Sequence, residues 1–115
     1  RFIEQIMVIG EGERFPAALI VPSFAFVREW AKRKEMNLDK LSNEELIKNE
    51  AVIARVQREV DTFNEEFGNW EKIKKFQLMP TEFTIEGEEL TPTLKFKRKI
   101  IMSKYKDVVE HIYRD

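Results

Sequence analysis

Apolar residues near the start of the chain form two short and nearly continuous runs. The first, Ile3–Ile9, is interrupted only by Glu4 and Gln5, and the second covers residues 17–21 before Pro22. A loop with glycines at positions 10 and 12 separates the two runs, and this composition suits a hairpin turn with positive φ angles. The pattern predicts a β-hairpin, and the continuous apolar runs predict a sheet covered on both faces.

Helical spacing replaces the continuous runs after the second strand. Ser23 is placed to cap a first helix, and Ser42 with Glu45 fits the capping box of a second. Asn49 is placed to cap a third and longest helix, which Gly68 ends as the C′ glycine. Apolar stripes support the first and third helices: Phe24, Val27, Trp30 and Ala31 in the first, and Val52, Val56, Val60, Phe63 and Phe67 in the third.

Two further strands are predicted after the long helix. Residues 73–79 alternate loosely between apolar and polar positions, and Pro80 ends this third strand. Phe83 and Ile85 predict a short fourth strand before a turn at Gly87.

The end of the chain is predicted to be a loop followed by a helix. Residues 90–95 have no period and indicate an exposed loop, and an amphipathic helix is predicted from about Lys97 onward. The elements together predict one α+β domain over residues 1–115, in which helices flank a small mixed or antiparallel sheet.

Composition limits the classes of function. The chain has 115 residues, with 20 Lys and Arg against 21 Asp and Glu, and a formal net charge of -1. This balance argues against a general nucleic-acid or membrane binder that relies on bulk charge. The absence of cysteine excludes disulfides, thiol catalysis and Cys-based zinc sites, and the single His111 cannot supply a multi-histidine metal site.

Location and completeness are also expectations from the sequence. No apolar run approaches the roughly 20 residues that cross a bilayer, and no signal-peptide pattern opens the chain. A cytoplasmic location without a transmembrane segment is expected, and a peripheral membrane association of the full-length protein stays open. The chain begins at Arg1 without an initiator Met and runs directly into Phe2 and Ile3, so we expect a piece of a longer protein.

Residues 90–99, Leu-Thr-Pro-Thr-Leu-Lys-Phe-Lys-Arg-Lys, are the most informative segment. They place four cations in five positions, beside two hydroxyls and a proline-stiffened loop. Most such charge runs are solvated surface. Cations at a helix N-terminus, however, meet the unfavourable positive end of the helix dipole, which favours a functional reason such as a shared anionic ligand.

Other polar and aromatic features are interpreted as structural. The Gly10–Gly12 segment is interpreted as a turn, because its glutamates would repel phosphate. His111 is placed to complement the dipole at the end of the last helix. Trp30 and Trp70 are predicted to be core or domain-interface residues, and the pairs Glu44-Glu45, Glu65-Glu66 and Glu88-Glu89 to be ordinary surface.

The segment at residues 90–99 resembles the C-terminal end of the AMP-forming adenylating enzymes, specifically the long-chain fatty acid–CoA ligases. The superfamily loop has the form Pro-Lys-Thr-x-Ser-Gly-Lys with an Arg three positions later, and the long-chain branch is similar to Leu-Thr-Pro-Thr-x-Lys-x-Lys-Arg. Leu94 stands where the superfamily has glycine. Residues 2–10, 18–22 and 76–78 resemble strands of the same domain. The matching loop positions are Thr91, Thr93, Lys95 and Arg98.

The resemblance implies that the chain is the small, mobile C-terminal domain of a ligase that joins a fatty acid to coenzyme A. The full-length enzyme would use ATP, giving AMP, together with coenzyme A and Mg²⁺. The implied partners are the large N-terminal domain of the same chain and the fatty acid and coenzyme A substrates, with no nucleic acid. The isolated fragment is expected to bind none of these cofactors alone and to be inactive.

The resemblance also implies roles for single residues. Lys95 is the implied catalytic lysine of acyl-adenylate formation, after which the domain rotates for thioester formation. Thr91 and Thr93 are expected to support the loop through local hydrogen bonds. Arg98 is assigned to loop orientation or to a coenzyme A phosphate, with a plain surface role as the alternative. No residue is implied as a metal ligand.

Two other classes of function stay open on the sequence. A free-standing binding module would use the face from Lys95 to Lys106 for nucleotide, coenzyme A or nucleic acid, and salt-dependent binding to single-stranded RNA would favour it. A purely structural interaction domain would use the face around Phe24 and Trp30. The preferred acyl chain length and the oligomeric state do not follow from these residues.

Overall fold

The computed structural model describes residues 1–114 of the chain. The chain divides into two compact units, the N-terminal unit Arg1–Thr81 and the C-terminal unit Glu82–Asp115. The N-terminal unit contains, in chain order, β1 (Ile3–Ile9), β2 (Ala17–Pro22), α1 (Phe24–Arg33), α2 (Asn43–Leu46), α3 (Glu50–Asn64) and β3 (Lys75–Leu78). The C-terminal unit contains α4 (Arg98–Lys104) and α5 (Lys106–Tyr113).

The sheet of the N-terminal unit has the order β1-β2-β3. β1 and β2 are antiparallel, with Ile6 opposite Ile20, while β2 and β3 are parallel, with Ile20 opposite Leu78. All six residues of the central strand β2 are buried, which agrees with its uninterrupted apolar sequence. The predicted hairpin and the mixed sheet are therefore confirmed.

The loop between β1 and β2 depends on glycine at position 10. Gly10 has a φ of 145°, and a Cβ built there would lie 3.0 Å from Cα of Pro16. Both the backbone conformation and the close approach exclude a larger residue. The interpretation of this segment as a turn is confirmed.

Side-chain caps begin two of the three helices of the N-terminal unit. Ser42 Oγ accepts from the Glu45 N–H at 3.1 Å, and Glu45 Oε1 accepts from the Ser42 N–H at 2.8 Å, so the predicted capping box is present. Asn49 Oδ1 accepts from the backbone N–H groups of Ala51 and Val52 at 2.9 and 3.2 Å. Ser23 lies at the N-cap of α1, but its side chain makes no capping hydrogen bond.

The core of the N-terminal unit forms where the helices cover the sheet. Val27 of α1 and Val52, Val56 and Val60 of α3 are buried in one cluster with Ala18 and Ile20 of β2. Trp30 is partly buried against this cluster, and its ring lies 5.4 Å from that of Phe2 in an edge-to-face contact. Of the two alternatives predicted for Trp30, core or domain interface, the structure supports packing against the core.

The predicted end of the long helix is wrong. α3 ends at Asn64, and the Asn64 side chain brackets the backbone of Ile73, donating to its carbonyl at 3.0 Å and accepting from its N–H at 2.9 Å. The helix therefore ends before Gly68, which is not the C′ residue, and the two bonds hold the chain at Ile73, just before β3. Phe63 and Phe67 are 46% and 38% exposed, so the core stripe stops at Val60.

Trp70 does not lie in the core. Its side chain is 86% exposed, in the turns that follow α3. The core alternative predicted for this residue is therefore wrong.

Two predicted elements of the C-terminal unit differ from the structure. Phe83 and Ile85 form no strand, because the chain folds back at once and the N–H groups of Glu89 and Leu90 both donate to the Thr84 carbonyl, at 3.0 and 3.2 Å. The single terminal helix is two helices, α4 and α5, separated at Tyr105, whose φ of -111° and ψ of 31° are not helical.

Candidate functional site

The segment that carries the candidate lysine is a small hairpin, residues 90–96, called here the Lys95 hairpin. Leu90 and Phe96 form an antiparallel bridge at its base. Within it the Thr91 N–H donates to the Lys95 carbonyl at 2.8 Å, and the Leu94 N–H donates to the Thr91 carbonyl at 2.8 Å. The predicted loop is thus a closed turn with defined backbone bonds.

The hydroxyl groups of Thr91 and Thr93 form hydrogen bonds within the turn. Thr91 Oγ1 accepts from the Lys95 N–H at 3.0 Å and lies 3.1 Å from Thr93 Oγ1. One hydroxyl therefore satisfies the backbone N–H of the candidate lysine, and the second is hydrogen-bonded to the first. These are local side-chain hydrogen bonds of the kind that order turns.

Leu94 adopts the left-handed conformation, with a φ of 65°. Its side chain is 66% exposed. Glycine occupies this conformation without strain, whereas other residues pay about 1–2 kcal/mol for it. The backbone at Leu94 is therefore of the kind that favours glycine, the residue that the superfamily loop has at this position.

Lys95 itself projects into solvent. The residue is exposed, and within residues 1–114 its ammonium forms no ion pair with a carboxylate. Arg98 is also exposed and is the first residue of α4, after Lys97 at the N-cap. The structure brings Thr91, Thr93 and Lys95 together in one turn and places Arg98 just beyond it.

Glu89 is a site residue that the sequence analysis missed. It is only 2% exposed, so its assignment to ordinary surface is wrong. Glu89 Oε1 accepts from the Thr84 N–H at 3.0 Å, while Oε2 accepts from the Tyr105 hydroxyl at 2.6 Å and lies 3.1 Å from Lys104 Nζ. No local pattern in the sequence signals this burial, because its partners Lys104 and Tyr105 lie far along the chain.

Neighbouring groups stabilise the ionised form of Glu89. Burial on its own would raise the pKa of Glu89, but the hydrogen bonds from Tyr105, the Thr84 N–H and Lys104, with the charge of Lys104, lower the pKa below its usual value. Burial, with the hydrogen bond and charge of Glu89, raises the pKa of Tyr105 to about 12. At neutral pH the pair is therefore a carboxylate and a neutral phenol.

Residues 1–114 contain neither a cluster of metal ligands nor a membrane-spanning helix. Residues 1–114 contain no group of three or more His, Cys, Asp or Glu side chains arranged to hold a metal ion. No helix in this range has the length and apolar character needed to cross a membrane.

His111 lies in the last turn of α5 and is exposed, in the position predicted for an interaction with the helix dipole.

The fold has clear structural relatives. The chain superposes on the A-PCP didomain of carboxylic acid reductase from Segniliparus rugosus, solved with AMP, with a TM-score of 0.71 and 20% identity over 97% of this chain and 14% of that one. The adenylation domain of the carboxylate reductase from Mycobacterium chelonae gives a TM-score of 0.72 and 20% identity over 99% and 16%. The predicted fold, an α+β domain of adenylate-forming enzymes, is confirmed.

All 115 residues match the family model of the AMP-binding enzyme C-terminal domain. The chain therefore belongs to this family, as residues 90–99 indicated. It is 32% identical over 111 residues to the long-chain-fatty-acid–CoA ligase FadD15 of Mycobacterium tuberculosis, covering 96% of this chain and 18% of that protein. It is 38% identical over 69 residues to the long-chain-fatty-acid–CoA ligase ACSBG2 of Gallus gallus, covering 59% and 9%. The chain spans less than a fifth of the length of these relatives.

Proposed function

We propose that this chain is the C-terminal domain of an AMP-forming long-chain fatty acid–CoA ligase and supplies Lys95 for acyl-adenylate formation. The observation that carries the proposal is the exposed Lys95 on a hydrogen-bonded turn, at the lysine position of the family loop. The names and lengths of the curated relatives support a ligase whose whole chain is much longer than this domain.

Lys95 would act by electrostatics in the first half-reaction. A fatty acid carboxylate attacks the α-phosphorus of ATP, a P–O bond forms, and pyrophosphate leaves. Two anions must approach while negative charge builds on the phosphoryl oxygens, so a compact cation on a flexible stem can contact both. The backbone bonds of the Lys95 hairpin fix the start of that stem, and only the side chain is left to adjust.

The second half-reaction does not need the same cation. The thiol of coenzyme A attacks the acyl carbon, AMP leaves, and the thiol proton is released. We propose that the domain rotates between the steps, withdrawing Lys95 and bringing Arg98 near a coenzyme A phosphate. Small domains on hinges commonly gate two-step cycles in this way.

The cofactor chemistry fits this chain only in part. An exposed lysine and arginine are suitable partners for the phosphates of ATP and coenzyme A. Residues 1–114 offer no cluster of carboxylate or histidine ligands for Mg²⁺.

Lys95→Ala in the full-length protein tests the proposal. Adenylate formation, followed as fatty-acid-dependent exchange of pyrophosphate into ATP, is expected to fall by roughly a hundredfold to a thousandfold, the usual loss for one preorganised electrostatic contact. Thioester formation from supplied acyl-adenylate should be spared. Lys48→Ala, an exposed lysine on the N-terminal unit, is the matched control and should leave both rates unchanged. Equal losses in the two half-reactions would contradict the role given to Lys95.

A further inference from the structure

The backbone of Glu89 is linked to both ends of the Lys95 hairpin. It directly precedes Leu90, which pairs with Phe96, and its backbone carbonyl accepts from the Lys97 N–H at 2.8 Å. The main chain of Glu89 is therefore part of the hairpin base. A single isolated bridge is little β-structure, so the direction of the hairpin depends on contacts beyond it.

The buried carboxylate supplies those contacts. Oε1 is bonded to the Thr84 N–H, at the beginning of the turn that leads into the hairpin. Oε2 is bonded to the Tyr105 hydroxyl and to Lys104 Nζ, where α4 ends and α5 begins. One side chain thus ties the turn, the hairpin base and the α4–α5 junction together.

Gly87 makes room for this arrangement. Its N–H donates to Thr84 Oγ1 at 2.9 Å, and a Cβ built on it would lie 2.9 Å from that oxygen and 3.0 Å from Glu89 Oε1. Its φ is not among the positive values, so the glycine is required for space rather than for a left-handed backbone. A side chain at position 87 would therefore force the Thr84 hydroxyl and the Glu89 carboxylate to shift.

Stability alone is a weak reason for a carboxylate at this place. The desolvation of a buried ion pair offsets much of its attraction, and apolar replacements are often as stable. An apolar residue cannot accept three directed hydrogen bonds from two separate segments, the turn at Thr84 and the α4–α5 junction at Lys104 and Tyr105. We infer that Glu89 is a positioning residue for Lys95, which holds the hairpin in one orientation on the α4–α5 junction. This inference rests on the proposed function of Lys95.

The test is Glu89→Gln in the full-length protein. The amide keeps the size of the side chain but replaces one acceptor oxygen by a donor beside Tyr105 and Lys104. Adenylate formation is expected to fall roughly tenfold to a hundredfold through kcat, as misplacement of a catalytic group does, with KM for ATP and the thioester half-reaction unchanged. Hydrogen exchange at the amides of Thr91 and Lys95 should become faster. Glu88→Gln, an adjacent exposed glutamate, is the matched control and should change none of these quantities.

Two further variants distinguish a loss of positioning from a general folding defect. Gly87→Ala crowds the carboxylate, and Tyr105→Phe deletes one hydroxyl donor; both should give the same selective loss of adenylate formation, smaller for Tyr105→Phe. Equal losses in the two half-reactions, or no loss, across these variants would overturn the inference. Failure of the proposed function is measured separately, because Lys95→Ala would then leave adenylate formation intact whatever Glu89 does.

Discussion

The left-handed backbone at Leu94 leads to a quantitative prediction about stability. Its φ of 65° places a branched side chain in a conformation that disfavours every residue except glycine by about 1–2 kcal/mol. The side chain is 66% exposed, so replacing it removes little buried apolar surface. Leu94→Gly should therefore relieve strain in the folded state at almost no loss of packing.

The gain is partly offset in the unfolded chain. Glycine makes the unfolded state more flexible, which costs about 0.4–1 kcal/mol relative to alanine. The difference between the mid-range values predicts that Leu94→Gly raises the free energy of unfolding by about 0.8 kcal/mol. Leu94→Ala keeps both the strain and the stiffer unfolded chain, so it should change stability very little.

Urea denaturation of the three proteins, followed by circular dichroism and by hydrogen exchange at the hairpin amides, measures the effect. The comparison of Leu94→Gly with Leu94→Ala isolates the backbone contribution, since both remove the same exposed side chain. A glycine variant no more stable than the alanine variant would refute the reasoning. Glu88, with a φ of 63°, offers a second position at which the glycine-minus-alanine difference should have the same sign.

Three other predictions concern helix caps and pH. Asn49→Ala should lower the free energy of unfolding by about 1 kcal/mol, because its side chain caps two N–H groups, whereas Ser23→Ala, which loses no capping bond, should cost less in the same urea titration. The lowered pKa of Glu89 means that its stabilising contribution is present above its ordinary value of 4.5 and is lost as pH falls through the folded-state pKa; acid titration of Glu89→Gln should lack that loss. The raised pKa of Tyr105 predicts an alkaline counterpart, a contribution that is complete below its ordinary value of 10.0 and lost as pH rises toward about 12; alkaline titration of Tyr105→Phe should lack it.

Local signals explain why much of the N-terminal unit was predictable. The β1–β2 turn, the capping box at Ser42 and the Asn49 cap are encoded within a few residues, and each is present in the structure. The end of α3 was not predictable in this way. Its apolar spacing continues to Phe63 and Phe67, but the Asn64 side chain binds the backbone of Ile73, nine positions away, and redirects the chain.

The candidate site likewise contains residues that a local motif marks and a residue that depends on distant contacts. Lys95 and its two threonines stand in one short motif, so the sequence identified them together. Glu89 is buried by partners that include Tyr105, sixteen positions later, and no local pattern distinguishes it from the exposed Glu88 beside it. The broken terminal helix was missed for the same reason, because its amphipathic spacing passes through Tyr105 unchanged.

The parallel pairing of β2 with β3 has a consequence for how the chain folds during synthesis. β1 and β2 can pair as soon as they leave the ribosome, since a short turn joins them. The residues of β2 are all apolar, and its other edge has no hydrogen-bonding partner until Lys75–Leu78 is made. That strand is translated only after three helices. During that interval a nascent chain presents an unpaired strand edge of the kind that templates aggregation.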